Sequence, residues 1–241
     1  MSPDHYRSIA PLYDRIVSPL LQPVRRDIGA YIRFKGYRRI IDVCCGTGDQ
    51  LRLLEAPDVE LCGIDNSLAM LEQAQKRGPE TISYHLLDAE QAPFAPGTFD
   101  CAIVSFSLHE KHPGAALNVY ANSRRMVRPG GSLIIADFSR PPATPTGILY
   151  GRIVIPLIER LAGRDHWAGY RTWMKHGALE GFLTSRREAS DIICRPFGRS
   201  VLCCAITVTP GGLSFDSSLA LLNYTLNAGT PPANGHNHGP S

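Results

Sequence analysis

The sequence lacks most of the features that would set it apart from ordinary globular proteins. No C-x-x-C spacing occurs, and the seven cysteines are odd in number and include the adjacent pairs Cys44-Cys45 and Cys203-Cys204, which make poor disulfide partners. A disulfide framework is therefore not expected, and the thiols, most of them in strand-like runs, read as buried packing residues. Long hydrophobic runs are missing too. The most membrane-like stretch, Ile148 to Ile158, is interrupted by Arg152 and Pro156 and falls well short of the roughly 20 residues that a spanning helix needs. Asp4, His5, Arg7, Asp14 and Arg15 break up any apolar core of a signal peptide, which leads to the expectation of a cytoplasmic location, with peripheral membrane contact left open. Excess charge of one sign is absent as well. With 25 Lys plus Arg against 22 Asp plus Glu, the net +3 is too weak to announce a nucleic-acid partner. Six basic residues lie between Arg25 and Arg39 against one acid, and they read as a solvated helix face.

What is present is a chain of 241 residues, 44% hydrophobic, long enough to bury a sizeable core. Between residues 39 and 138, short apolar runs rich in β-branched residues alternate with segments of helical period, the βαβ pattern of a mostly parallel sheet. The predicted strands are Arg39–Cys44, Val59–Ile64, Ile82–Leu87, Phe99–Phe106 and Ser132–Phe138, with helices at Leu51–Glu55, Ser67–Arg77 and Ala115–Val127 between them. Ser67 suits a helix N-cap, Gly78-Pro79 closes the same helix, and Arg128-Pro129-Gly130-Gly131 forms a turn before the fifth strand.

The flanks divide the remaining chain. Residues 1–38 read as a helical cap of two helices separated near Pro19 to Pro23, and 39–139 as the ligand-binding core. Residues 140–188 read as a helical insertion, with segments around Gly151–Ala162 and His166–Leu183. Residues 189–212 then form a closing hairpin about Pro196-Phe197-Gly198, and 213–241 are a tail too poor in apolar residues to order.

The chemistry concentrates in Ile40-Ile-Asp42-Val-Cys44-Cys-Gly46-Thr47-Gly48-Asp49, a strand entering a glycine-rich turn and then a helix. Such a turn lets a ligand approach backbone closely, beside a helix N-terminus. Asp65 falls at the end of the second strand, where a carboxylate can accept both hydroxyls of a ribose, and Asp88 follows the third, within reach of an adenine N6 amine. A dinucleotide fingerprint needs a third glycine where Leu51 stands, and no phosphate-binding loop follows. The pattern fits a ligand with an adenosine and no phosphates.

These residues resemble the class I S-adenosylmethionine-dependent methyltransferases. Asp42-Val-Cys-Cys-Gly46-Thr-Gly48 is similar to their first motif, Gly63-Ile-Asp65-Asn66-Ser to their ribose-binding loop, and Leu87-Asp88-Ala89-Glu90 with Phe99-Asp100 to their adenine segment and fourth strand. Met126-Val-Arg-Pro-Gly-Gly131 matches the turn into their fifth strand. The resemblance implies an α/β fold, a Rossmann-like, doubly wound, mostly parallel seven-stranded sheet with N-terminal helices and a helical insertion after strand five. It implies S-adenosyl-L-methionine as cofactor, held by Asp42, Cys44, Gly46, Thr47, Gly48, Asp65, Asn66, Asp88, Ala89 and Ser105. Cys44 stands where many members carry glycine. Within the family, Ile9-Ala-Pro-Leu-Tyr13-Asp14 and Asp88-Ala-Glu-Gln-Ala-Pro-Phe94 resemble the ubiquinone and menaquinone C-methyltransferases, whereas Ser105-Phe-Ser-Leu-His109-Glu110 replaces their G-L-R-N-type segment.

The resemblance implies methyl transfer to a small-molecule acceptor; the alternatives are a quinone-precursor C-methyltransferase and a non-catalytic cofactor-binding regulatory protein. His109 is the candidate general base, because its loop follows strand four and neutral imidazole is available near pH 7; otherwise it orients that loop. Tyr13, His166 and Tyr170, the last two in an aromatic and imidazole cluster with Trp167, Trp173 and His176, are the candidate acceptor contacts. They read equally well as packing residues. No metal site is expected.

Overall fold

A computed structural model describes residues 10–186 and 189–209, with side chains from residue 18 onward. Helix α1 (Ala10–Lys35) leads into β1 (Arg39–Val43), α2 (Asp49–Arg52), β2 (Glu60–Asp65), α3 (Leu68–Arg77), β3 (Ile82–Leu86), β4 (Phe99–Ser105), α4 (Pro113–Met126) and β5 (Val127–Phe138). The sheet order is β3-β2-β1-β4-β5-β7-β6, parallel through β5 and completed by two antiparallel strands, β6 (Asp191–Cys194) and β7 (Val201–Thr207). The chain thus forms the expected seven-stranded α/β sheet. Its central strands are covered on both faces, so Ile40, Ile41, Val43, Cys101 to Val104 and Leu133 to Ala136 are all buried, which explains runs that are apolar throughout rather than alternating. All seven cysteines are free thiols.

Local chemistry sets the element ends. Ser67 Oγ accepts the Met70 amide at 3.2 Å and caps α3 as expected. β5 begins at Val127 rather than Ser132, because the Arg128-Pro129-Gly130-Gly131 turn is a bulge inside the strand. Pairing with β4 steps from Phe99–Val127 to Cys101–Ser132. Gly130 turns there with φ 79°, and a Cβ on Gly131 would lie 2.3 Å from the Asp100 carbonyl. The hairpin between β6 and β7 turns on Phe197 and Gly198, with φ 53° and 61°, the mirror-image conformation that suits the twist of antiparallel strands.

Two expectations are corrected. The predicted pair of N-terminal helices is one helix, α1, running through Pro19 and Pro23. Each interior proline costs about 3 kcal/mol, yet Val24, Ile28 and Ile32 are buried in the hydrophobic core, each worth about 1.5–3 kcal/mol. Arg25 also donates to the Ser18 carbonyl at 3.1 Å in the disturbed turn. The insertion is more divided than predicted: α5 (Pro145–Ile148), a π-helical turn (Leu149–Val154) and α6 (Ile155–Ala162) are followed by α7 (Arg164–Lys175) and α8 (Ala178–Thr184). The break before α8 lies at Gly177 and Ala178, with φ 97° and 57°, inside the segment expected to be helical from His166 to Leu183. The tail expected from residue 213 lies outside the described residues.

Asp100 ties the amino ends of β1, β4 and β5 together by accepting the Arg38 and Arg39 amides at 2.8 and 3.0 Å and the Arg128 Nε at 2.6 Å. Partial burial works to raise its pKa, but Arg128 and the two amides outweigh it and leave the carboxyl below its ordinary value. Asp100→Ala should lower stability by about 1–2 kcal/mol near neutral pH, a figure discounted for partial exposure and read from urea unfolding midpoints. The contribution is present above the unfolded carboxylate range and lost as pH falls through the lowered folded value, so the gap between parent and variant should close in acid.

Candidate active site

The carboxyl ends of β1 and β2 meet in one buried carboxylate. Asp65, the last residue of β2, accepts the Gly46 amide on Oδ2 at 2.8 Å and the Ser67 amide on Oδ1 at 2.9 Å. Its carbonyl takes the Leu87 amide at 3.0 Å, so the loop after β3 registers on it as well. Burial pushes the Asp65 carboxyl up, against the two amides and Lys111. A carboxylate has about four lone-pair sites, so two remain for a ligand. Gly46, at φ 53°, has nothing within 4 Å of the place its Cβ would occupy, and Cys44 holds a left-handed φ of 61° despite its side chain, a strained backbone of the kind functional loops tolerate. Gly48 is different: its missing Cβ admits the Tyr84 hydroxyl, which would lie 2.3 Å away.

Among the described residues, buried polar atoms without a hydrogen-bond partner around this turn include Asp42 Oδ1, Gln50 Oε1 and Tyr84 Oη. Burial raises the Asp42 carboxyl to about 7, against Arg25 and with a further push from Asp65. The Cys44 thiol is pushed up to about 12, again by burial first, so it is a neutral, unreactive neighbour. Lys111, Asp65 and Glu110 supply the charges nearest that thiol. Lys111 itself stays protonated: burial opposes its charge, but Cys44, Glu110, Asp65 and Glu90 outweigh that effect.

Beyond β4 the site is closed by a network of ions. Asp137 on β5 accepts the Leu108 and His109 amides on Oδ2 at 3.1 and 3.3 Å, and the Phe138 amide on Oδ1 at 2.7 Å. The same Oδ1 lies 2.8 Å from His109 Nδ1, while Glu159 of α6 lies 3.5 Å from His109 Nε2. His166 of α7 sits 3.1 Å from Glu110 and 4.0 Å from Glu159. Burial works against an imidazolium at His109, yet Asp137 and Glu159 outweigh it and hold its pKa well above the ordinary value. His109 is buried, and both carboxylates favour its charged form.

The sequence-predicted residues separate accordingly. Asp42, Cys44, Gly46, Thr47, Gly48, Asp65 and Asn66 come together after β1 and β2, Asp88 and Ala89 after β3, and Ser105 at the end of β4, on four neighbouring strands. Asp88 is exposed and accepts the Glu90 amide at 2.9 Å. Of the aromatic cluster, Tyr170 and Trp173 are core residues: the Tyr170 hydroxyl donates to the Gly151 carbonyl at 3.4 Å and the Trp173 indole to the Phe138 carbonyl at 3.0 Å. Tyr170 is thus no exposed pocket wall, whereas His166 and Trp167 stay half-exposed. Tyr13 falls within α1, but its side chain lies outside the described residues. Lys111, Ser107 and Glu159 were not anticipated; the run His109-Glu110-Lys111-His112 directly after strand four was the available signal for the first.

A family model described as a methyltransferase domain matches residues 40–131. The demethylmenaquinone methyltransferase of Beutenbergia cavernae is 35% identical over 124 residues, which cover 52% of this chain and span only 50% of that protein. That of Thermus thermophilus is 32% identical over 161 residues, covering 60% of this chain and 69% of that protein. The chain belongs to the class I S-adenosylmethionine-dependent methyltransferases. An O-methyltransferase family protein from Burkholderia thailandensis shares the fold of this methyltransferase, with a TM-score of 0.62 at 19% identity over 84% of this chain and 60% of that one. S-adenosylmethionine is the methyl donor of the family, and the residues fit it. The Asp42 oxygen left without a partner among the described residues suits its ammonium, the remaining Asp65 lone pairs suit its ribose, and Gly46 leaves open space where its Cβ would stand.

The charged state of His109 has a measurable consequence for this methyltransferase. A raised folded pKa means that the network's contribution is present in full below the unfolded histidine pKa, about 6.5, and is lost as pH rises through the folded value. The stability gap between parent and His109→Gln, measured by urea unfolding across pH, should be largest below about 6.5 and shrink in alkali. A gap independent of pH would contradict an imidazolium.

Proposed function

We propose that this chain transfers a methyl group from S-adenosyl-L-methionine to a small-molecule acceptor by in-line displacement. One observation carries the reading. The rim of β1 and β2 joins a buried carboxylate with an unpartnered oxygen, a carboxylate with free lone pairs and an open left-handed glycine. When bound, the sulfonium supplies an electrophilic methyl carbon on a good leaving group, so positioning and water exclusion are the protein's main tasks. In this reading Asp42 faces the ammonium, Asp65 accepts the ribose hydroxyls and Asp88 meets the adenine amine. Cys44, Gly46, Thr47, Gly48, Asn66, Ala89 and Ser105 form the walls. His109 is a positioning residue that holds the loop after β4 against Asp137. The acceptor enters between that loop and the 140–188 lid, beside Glu110, Lys111 and His166, with Tyr170 packed behind. Among the described residues no helix is long and apolar enough to cross a membrane, and we place the activity in the cytoplasm with no nucleic-acid substrate.

A quinone-type acceptor is the second reading, favoured by the names of the relatives in Beutenbergia and Thermus. Incubation with methyl-labelled S-adenosylmethionine and a cellular extract divided into polar and lipid fractions decides between them by mass spectrometry. Label in a polar metabolite supports the first reading and label in a prenylated ring the second. Tight binding of S-adenosylhomocysteine without transfer from any fraction would mark a regulatory binder instead.

The cofactor site also has a pH signature. Asp42 must be ionised to attract an ammonium, and its pKa lies at about 7, so affinity should fall as pH falls through that value. Calorimetry with S-adenosylhomocysteine should show about a tenfold loss between pH 8 and pH 6. Asp42→Asn should bind more weakly at pH 8 and show little of this dependence; a parent affinity flat across the range would remove Asp42 from the site.

A further inference from the structure

The helical run from Pro145 to Ala162 carries two opposed stripes with the same four-residue spacing. Gly147, Gly151, Ile155 and Glu159 are all buried. They fit the run against the molecule, since a Cβ on Gly151 would lie 2.4 Å from the Pro141 side chain and one on Gly147 2.5 Å from the Pro142 carbonyl. Two residues out of step, Leu149, Ile153, Leu157 and Leu161 are exposed by 47%, 56%, 55% and 78%. In a regular α-helix residues four apart overshoot a full turn, so such a stripe drifts around the axis; the wider π-helical turn at Leu149–Val154 takes up part of that drift. The result is a row of large apolar side chains about three turns long that no described residue covers.

The charges beside this row have one sign. Between Pro145 and Arg164 the charged side chains are Arg152, Glu159, Arg160 and Arg164. Glu159 faces inward to His109, while the three arginines are exposed. Arg152 and Arg160 each precede a member of the stripe by one residue, and Arg160 lies over the Trp167 ring at 4.4 Å. Isolated exposed leucines are ordinary, but a contiguous stripe whose own helical run exposes only arginines as charges is not, the nearest exposed acid being Asp165 in the first turn of α7. A second copy of the same face would bring three arginines against three. An interfacial bilayer surface carrying anionic phospholipids meets both requirements, because its acyl boundary takes the leucines and its headgroups the guanidiniums.

We propose that the α5–α6 run docks this protein on anionic phospholipid bilayers, with Leu149, Ile153, Leu157 and Leu161 in the acyl boundary and Arg152, Arg160 and Arg164 at the headgroups. The opposite side of the same helix carries Glu159, so docking sets the lid of the candidate site directly against the membrane. The surface does not depend on the proposed chemistry, and vesicle binding is read without any methyl acceptor.

The test is co-sedimentation of the full chain with vesicles of phosphatidylcholine mixed with phosphatidylglycerol and with vesicles of phosphatidylcholine alone. The parent should bind the mixed vesicles, and binding should weaken with salt and largely disappear without the anionic lipid. Leu157→Ser combined with Leu161→Ser should reduce partitioning by roughly tenfold or more, and Arg152→Glu combined with Arg164→Glu should reduce it similarly. All four positions are exposed, so thermal unfolding should stay near that of the parent and confirm folded variants. No binding to mixed vesicles, equal binding to both kinds, or parent-like binding by both double variants would overturn the proposal. So would a parent dimer in light scattering that the double serine variant dissolves, which would make the stripe an interface between copies.

Discussion

Asp65 is the constraint around which the rest of this molecule is arranged. A carboxylate with relative exposure of only 9% is tolerated at the end of a strand because two backbone amides compensate it, one from the loop after β1 and one from the start of α3. The bond to Gly46 joins the Cys45–Ile64 and Gly48–Cys45 backbone bonds in fixing a left-handed turn, and the Asp65 carbonyl anchors the loop after β3 through Leu87. Three loops at the carboxyl ends of β1, β2 and β3 thus take their position in part from one residue. The sheet order reverses between β1 and β4, which leaves a crevice at the carboxyl ends of these strands where open α/β sheets bind ligands.

Asp137 plays the matching part on the other side of the crevice. It holds three backbone amides and an imidazole, and so fixes the loop after β4. Glu159 then connects the loop to the lid: the inner face of the insertion carries an ion for His109, while the outer face of the same helix carries leucines for a surface beyond the protein. The lid and the loop form one electrostatic unit, in which losing one partner leaves a buried charge uncompensated.

The sequence was most legible where structure is local. Strand runs apolar on both faces, the Ser67 cap and the glycine turn each depend on neighbours within a few residues, and all are where the pattern put them. The early start of β5 was hidden because Pro129 and Gly130 look like a turn whether the strand stops or bulges. The continuous α1 was hidden because proline reports a local cost, whereas the burial of Val24, Ile28 and Ile32 that outweighs it is a tertiary gain. Within the site, Asp65 could be placed from its strand end, but the carboxylates that favour a charged His109, Asp137 and Glu159, lie far from it in the chain. Tyr170 could not be told from a pocket residue, since an aromatic at helical spacing looks the same in a core as beside a ligand.

Hydrogen–deuterium exchange with and without S-adenosylhomocysteine tests the central claim most directly. If the ligand rests on the rim organised by Asp65, added protection should concentrate in residues 42–48, 65–67 and 87–89, with a smaller effect in the loop from Ser105 to Lys111. Asp65→Ala should lose that protection together with affinity. Protection confined to the lid or the β6–β7 hairpin, with the loops after β1 and β2 exchanging as in the free protein, would contradict the account.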